Sequence, residues 1–192
     1  MRIVPEYLIN ENTVLVEGIY DEFANLWSKV LDKEELLVVM LSPVKLINHT
    51  LLKYGSDFQG AVNSSKHILG EVKTPPIHVN AKLDIWLIPT RSSKLQSCVW
   101  FSHSHIKDTK AVGRKKTEVH LSFGHTYELL MKEISFNHKR QKAAQLKEHI
   151  TKNSLGTESF IAEPIRGFYI RESEQELVFK KEDSDGETEE DK

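Results

Sequence analysis

Cysteine is nearly absent, long apolar runs are missing, and no glycine-rich phosphate loop occurs. A single cysteine, Cys98, among 192 residues cannot staple a secreted fold, because a bridge needs two thiols. No run of ~18 apolar residues exists, which excludes a membrane-spanning helix. The opening "MRIVPEYLIN" has no apolar stretch followed by a small-residue cleavage site. Export is therefore not expected, and the chain reads as cytosolic. Gly-x-Ser-x-Gly is missing, so nucleophilic acyl-transfer machinery has no sequence signature. Asp57, Asp84 and Asp108 have no paired carboxylate at an informative spacing. These absences predict a protein that is not an enzyme, with no cofactor and no metal. Internal repeats are also missing.

What is present suits one domain with an appendage. Hydrophobic residues make up 39% and charged residues 28%, enough for a real core under a very polar surface. The net charge of −2 conceals a strong asymmetry. Residues 1–52 carry 4 Lys/Arg against 8 Asp/Glu, residues 53–152 carry 17 against 8, and residues 153–192 carry 5 against 12. The middle is thus +9 between flanks of −4 and −7. A basic middle favours a polyanion partner, whereas a mixed, solvated surface is the bland alternative.

Local patterns predict an α+β, strand-rich single domain with a few helices. "YLIN" (Tyr7–Asn10) and "TVLVEG" (Thr13–Gly18) are β-prone around an "NEN" turn. "EELLVVML" (Glu34–Leu41) is a continuous apolar run that suits a buried strand. "YDEFANLWSKVL" fits helix or strand. "SPVKLINHTLLKYG" is a helix, with Ser42 as N-cap, Pro43 at N1 and Gly55 just past the end. Leu46, Ile47 and Leu51 form its apolar stripe. "KTPPIHVN" cannot be helical throughout, because Thr74 and Pro75 each precede a proline. "DIWLIP" and "SCVWFSHSHI" read as strands around the polar loop "TRSSKLQ", and "TEVHLSF" with "TYELLM" as a hairpin. Ser135 is the expected N-cap of a helix over Ser135–Asn153, with Phe136, Ala143, Leu146 and Ile150 broadly on one side. The closing "EDSDGETEEDK" has 7 acidic residues, one lysine and no apolar residue. It is expected to be a disordered tail that competes with phosphate for the basic surface, with a plain solubilising tail as the alternative. The expected organisation is a domain over 1–152, an interaction or regulatory segment over 153–181 and a disordered acidic tail over 182–192.

His103 and His105 raise the possibility of a metal. In a continuous strand they share a face with Val99 and Phe101, while Cys98, Trp100, Ser102 and Ile106 fall on the other. His-x-His needs a third ligand, which His120 or His125 could supply. Packed strand histidines are the preferred reading. A small metal-dependent enzyme using His103, His105 and one further histidine is the alternative, and a protein-interaction module for an acidic partner is a third. Cys98 lies in an apolar run and reads as an inert thiol.

The basic residues carry the stronger signal. Arg91 and Lys94 lie in the polar loop. Lys107, Lys110, Arg114, Lys115 and Lys116 follow in "KDTKAVGRKK", while Lys139, Arg140, Lys142 and Lys147 decorate the last helix. Two loops and one helix face could form a surface that releases counterions from phosphates. Arginine in a polar loop can also enter a narrow A/T-rich minor groove. Solvated charges with no common face are the alternative.

"YGSDFQG", "KTPPIHVN", "IWLIPTRSS", "SCVWFSHSHIK" and "TEVHLSFGHTYEL", in this order and spacing, resemble the ComK family of competence transcription factors. The resemblance covers roughly residues 7–150. It implies a DNA-binding activator of late competence promoters, acting in the cytoplasm at the nucleoid with RNA polymerase. It further implies paired AT-rich boxes read largely through the minor groove, binding as dimers, and capture by an adaptor of an AAA+ protease. "ESFIAEPIRGFYI" is the candidate adaptor-binding segment. The same resemblance places the Cys-Trp-His run in the core, without metal.

Overall fold

A computed structural model describes residues 2–154 of the chain. The expectations for the interaction segment and the acidic tail, apart from their first two residues, lie outside the described residues. Among those described, three helices and ten strands make an α+β, strand-rich fold. In chain order the first elements are β1 (Arg2–Val4), β2 (Thr13–Tyr20), β3 (Leu26–Asp32), β4 (Glu35–Val39), α1 (Pro43–Lys53) and α2 (Phe58–Leu69). They are followed by β5 (Ile77–Asn80), β6 (Ile85–Pro89), β7 (Trp100–Ser102), β8 (Ile106–Val112), β9 (Lys116–Leu121), β10 (Thr126–Leu129) and α3 (Glu133–Ser154).

Seven strands form one sheet in the order β1-β4-β3-β2-β7-β6-β5, and three form a second in the order β10-β9-β8. All pairs are antiparallel except β1 with β4. The large sheet has a core on each face, which the period-2 alternation of its strands sorts cleanly. Ile85, Leu87, Cys98 and Trp100 join Leu46, Ile47, Leu51 and Ala61 of α1 and α2 on one side. Ile88, Val99 and Phe101 join Val119, Leu121 and Leu129 of the small sheet, with Phe136 and Ala143 of α3, on the other. Phe101 sits edge-on to both Tyr127 and Phe136, at centroid distances of 5.3 and 5.2 Å, the arrangement aromatic quadrupoles favour.

Several local expectations hold. Pro43 is at the start of α1, with Ser42 extended before it and no side-chain cap bond. Leu46, Ile47 and Leu51 are fully buried, and Gly55 has φ +79°. "EELLVVML" supplies β4, "LWSKVLD" resolves to strand, and β9 with β10 is the expected hairpin.

Other expectations are corrected. Tyr7–Asn10 is not a strand. Tyr7 is held instead by its hydroxyl, which donates to Asp32 Oδ2 at 2.9 Å, and the Ile9 N–H donates to Thr50 Oγ1 at 3.1 Å. "KDTKAV" is strand β8 rather than loop. Ser135 lies inside the first turn of α3, because its N–H already reaches the Lys132 carbonyl at 3.0 Å. A tertiary contact fixes the earlier start: the Thr109 hydroxyl donates to Glu133 at 2.9 Å. Helix α2 was not anticipated. Its signals are Asp57, whose carboxylate caps Gly60 N at 2.9 Å, and Gly70 at its end with φ +76°.

The strand through Cys98–Ile106 is interrupted. A single 3-10 turn, His103–His105, separates β7 from β8. Here the chain leaves the large sheet and enters the small one, and a continuous strand cannot turn that corner. His103 and His105 therefore do not share a strand face, and Ile106 packs in the second core rather than with Cys98 and Trp100.

Candidate nucleic-acid interface

The loop between β6 and β7 is built, not slack. At its base Thr90 N donates to the Val99 carbonyl at 2.9 Å, and Val99 N donates back to Thr90 Oγ1 at 2.9 Å. The Cys98 thiol donates to the Arg91 carbonyl at 3.3 Å. Burial pushes the thiol pKa up, so Cys98 acts as a packed clamp. Leu95 N to Ser92 O and Cys98 N to Leu95 O, at 2.9 and 3.0 Å, fold the rest of the loop onto itself. Arg91 Nη2 reaches the Leu130 carbonyl at 3.3 Å, tying the loop to the segment before α3.

Opposite this loop stand α2 and the Pro-Pro segment. Ser65 Oγ donates to the Pro76 carbonyl at 2.7 Å, and Phe58 packs edge-on to Trp100 at 5.9 Å. Between the two walls runs an open groove whose floor includes Phe58, Ile77 and Trp100. Its rim carries Lys66, Lys73, Arg91 and Lys94, and its lining contains no Asp or Glu. A second cleft shares the walls Thr74 and Pro89 with the first and adds His138, Lys139 and Lys142 from α3. Lys66 and Lys73 also line an adjoining cleft with Glu71, so it is the excess of cations along the groove that concentrates anions.

The structure thus brings Arg91, Lys94, Lys139 and Lys142 to one continuous surface. Lys66 and Lys73 belong to it but were not singled out in the sequence. The available signal was the pair of lysines flanking Gly70, but it needed α2 to be recognised first. Lys139 is half-buried: its amine donates to Thr74 Oγ1, and burial lowers its pKa, with the nearby Cys98 thiol opposing. Arg140 is held by Asn137 at 3.3 Å. Lys147 is engaged with Asp84 at 2.7 Å, in a network that Trp86 Nε1 completes at 2.8 Å.

The β8–β9 hairpin is electrostatically mixed. Lys110 faces Glu118 across the ladder, and Lys116 pairs with Glu128 at 2.7 Å. Lys107 is exposed on β8, while Arg114 and Lys115 are exposed in the turn that Gly113 opens at φ +63°.

The histidines serve packing and strut roles. His105 Nε2–H donates to the Glu11 carbonyl at 2.8 Å, His125 Nε2–H to the Lys33 carbonyl at 2.6 Å, and His120 Nδ1 meets Thr126 Oγ1 at 3.2 Å. Burial lowers the pKa of His103, assisted by Lys147 and Arg140. Among the described residues, no three His, Cys, Asp or Glu side chains converge on a point that could hold a metal ion, and no helix is long and apolar enough to cross a membrane.

Fold and surface together define a strand-rich α+β domain with a cationic groove bounded by a clamped loop. The chain belongs to the ComK protein family, whose model matches residues 4–154. It is 32% identical over 120 residues to the competence transcription factor of Bacillus subtilis (strain 168). That similarity covers 62% of this chain and 62% of the relative, less than two thirds of its length. No solved structure matches the chain.

Proposed function

We propose that this chain is a DNA-binding transcription factor that activates competence genes and reads AT-rich promoter boxes through the minor groove. The observation that carries the proposal is the groove rimmed by Lys66, Lys73, Arg91 and Lys94 without a carboxylate in its lining. Family membership and the name of the Bacillus relative support the transcriptional reading. A groove wall of paired lysines suits the regularly spaced phosphates of duplex DNA, while Arg91 suits a narrow A/T minor groove, where negative potential is enhanced. Dimer formation on DNA, contact with RNA polymerase at the nucleoid and capture by a protease adaptor complete the proposal.

The test is a binding isotherm on an A-run/T-run duplex and on a GC-rich duplex across a salt series. Five contacting cations, the four rim residues and Lys142, give a slope of log K against log salt of about −4.5. Changing Lys66 and Lys73 to Ala flattens the slope by about 2 on both duplexes. Changing Arg91 to Ala narrows the preference for the AT-rich duplex. Salt-independent binding, or equal affinity for the two duplexes with Arg91 intact, rejects the reading.

A further inference from the structure

We propose that Lys139 is a modification site whose amine accepts a small acyl group from an acyl phosphate. Lys29, Lys116, Lys147 and Lys152 each have a carboxylate in ion-pair contact. Lys139 has no such partner among the described residues. Its amine is half-buried in the cleft between α3 and the Pro-Pro segment, against the Thr74 hydroxyl. Burial of the amine disfavours the ammonium form, with the nearby Cys98 side chain opposing in part. The free amine can keep an N–H bond to Thr74 and use its lone pair as a nucleophile.

The cleft also suits the donor. Pro76 and Pro89 are rigid walls, and His138 and Lys142 stand beside Lys139. The cleft shares Thr74 and Pro89 with the groove, whose own lining carries Lys73 and Arg91. This rim attracts a phosphate dianion and stabilises it as a leaving group. The amine nitrogen attacks the acyl carbon and the bond from that carbon to the phosphate oxygen breaks. Inorganic phosphate departs with the electron pair, and the surplus nitrogen proton passes to water. The product is a neutral amide, so the chain loses one positive charge next to the groove.

The experiment incubates the full chain with acetyl phosphate at near-neutral pH and follows site occupancy by peptide mass spectrometry. Lys139 is acetylated at least about threefold faster than Lys115, an exposed lysine in the β8–β9 turn, and the difference vanishes in urea. Changing Lys142 to Gln slows the reaction at Lys139 with acetyl phosphate but not with acetic anhydride, which carries no phosphate. A Lys139 rate equal to or below that of Lys115 in the folded chain overturns the site. So does a preference that persists in urea, because it would then come from neighbouring sequence. Equal slowing with both donors overturns the choice of an acyl phosphate. The consequence for DNA rests on the function proposed above: the acetylated chain binds more weakly at low salt, with the gap closing as salt rises. Acetylation at Lys139 without that change leaves the acyl site standing and moves the DNA interface elsewhere.

Discussion

Single side chains decide whether the loop of the groove keeps its shape. Thr90 is 2% exposed, and its hydroxyl is the partner of the buried Val99 N–H. Thr90→Val preserves shape but strands that donor, so urea denaturation should show a loss of about 1–3 kcal/mol. Weaker DNA binding should accompany it, because Arg91 is the next residue. A second prediction concerns pH. Burial lowers the pKa of His78, and burial with neighbouring Lys147 and Arg140 lowers that of His103. Both histidines are neutral in the folded and unfolded chain well above pH 6.5, the ordinary value. As pH falls through 6.5, the unfolded chain takes up protons that the folded chain refuses, so stability is lost on acidification. Melting temperature should be flat above neutrality and decline below it. His78 stacks on Trp86 at 4.5 Å, so His78→Phe keeps the ring contact and should flatten the upper part of that decline. An unchanged profile would remove His78 from the linkage. These roles were only partly legible in the sequence. Burial of Cys98 could be read from its apolar run, but its partner, a carbonyl seven residues away, could not.

At the scale of elements, close packing between β2 and the clamped loop sets a sharp test. A Cβ on Gly18 would lie 2.8 Å from the Gln96 carbonyl oxygen and 2.9 Å from Leu26 Cδ1. The leucine can rotate away, but the backbone oxygen can yield only by moving the loop that carries Lys94. Gly18→Ala should therefore destabilise the fold by about 1–3 kcal/mol. DNA affinity should fall beyond what the stability loss explains, measured where the variant is still fully folded. Helices with strong end signals were readable: Pro43 and Gly55 bracket α1 because local sterics act whatever surrounds them. The limits of α3 were not, since Thr109, distant in sequence, anchors Glu133. The 3-10 turn at His103–His105 was equally hidden. Its residues suit a strand, and the need to pass between two sheets overrides that preference.

Across the whole molecule, charge location matters more than charge count. The basic middle contains the groove, whose lining holds four cations and no carboxylate although Glu71 lies in the adjoining cleft, and the β8–β9 hairpin, where Lys116 is paired with Glu128. Lys115→Ala with Lys116→Ala removes as much formal charge as Lys66→Ala with Lys73→Ala. The hairpin pair should nevertheless change the DNA salt slope by less than about 1, against about 2 for the groove pair. Equal changes would mean that the hairpin contacts phosphate as well. Binding isotherms on one AT-rich duplex, with both double variants at matched salt, make the comparison.

The amino-acid sequence by itself determined the strand-rich α+β class, the helix of Pro43–Lys53, the two-faced apolar alternation of β7, and the basic middle. These follow from short-range sterics, periodicity and composition, which need no knowledge of distant neighbours. Only the tertiary structure decided which lysines share a surface. Lys66 and Arg91 are separated by a helix end, a Pro-Pro segment and two strands, and they line one groove because the Ser65–Pro76 bond and the Phe58–Trp100 contact hold its walls together. Tertiary structure also decided that Lys139 is desolvated and Lys116 is paired. Burial and ion pairing depend on which side chains meet in space, and the spacing of residues along the chain does not specify those meetings.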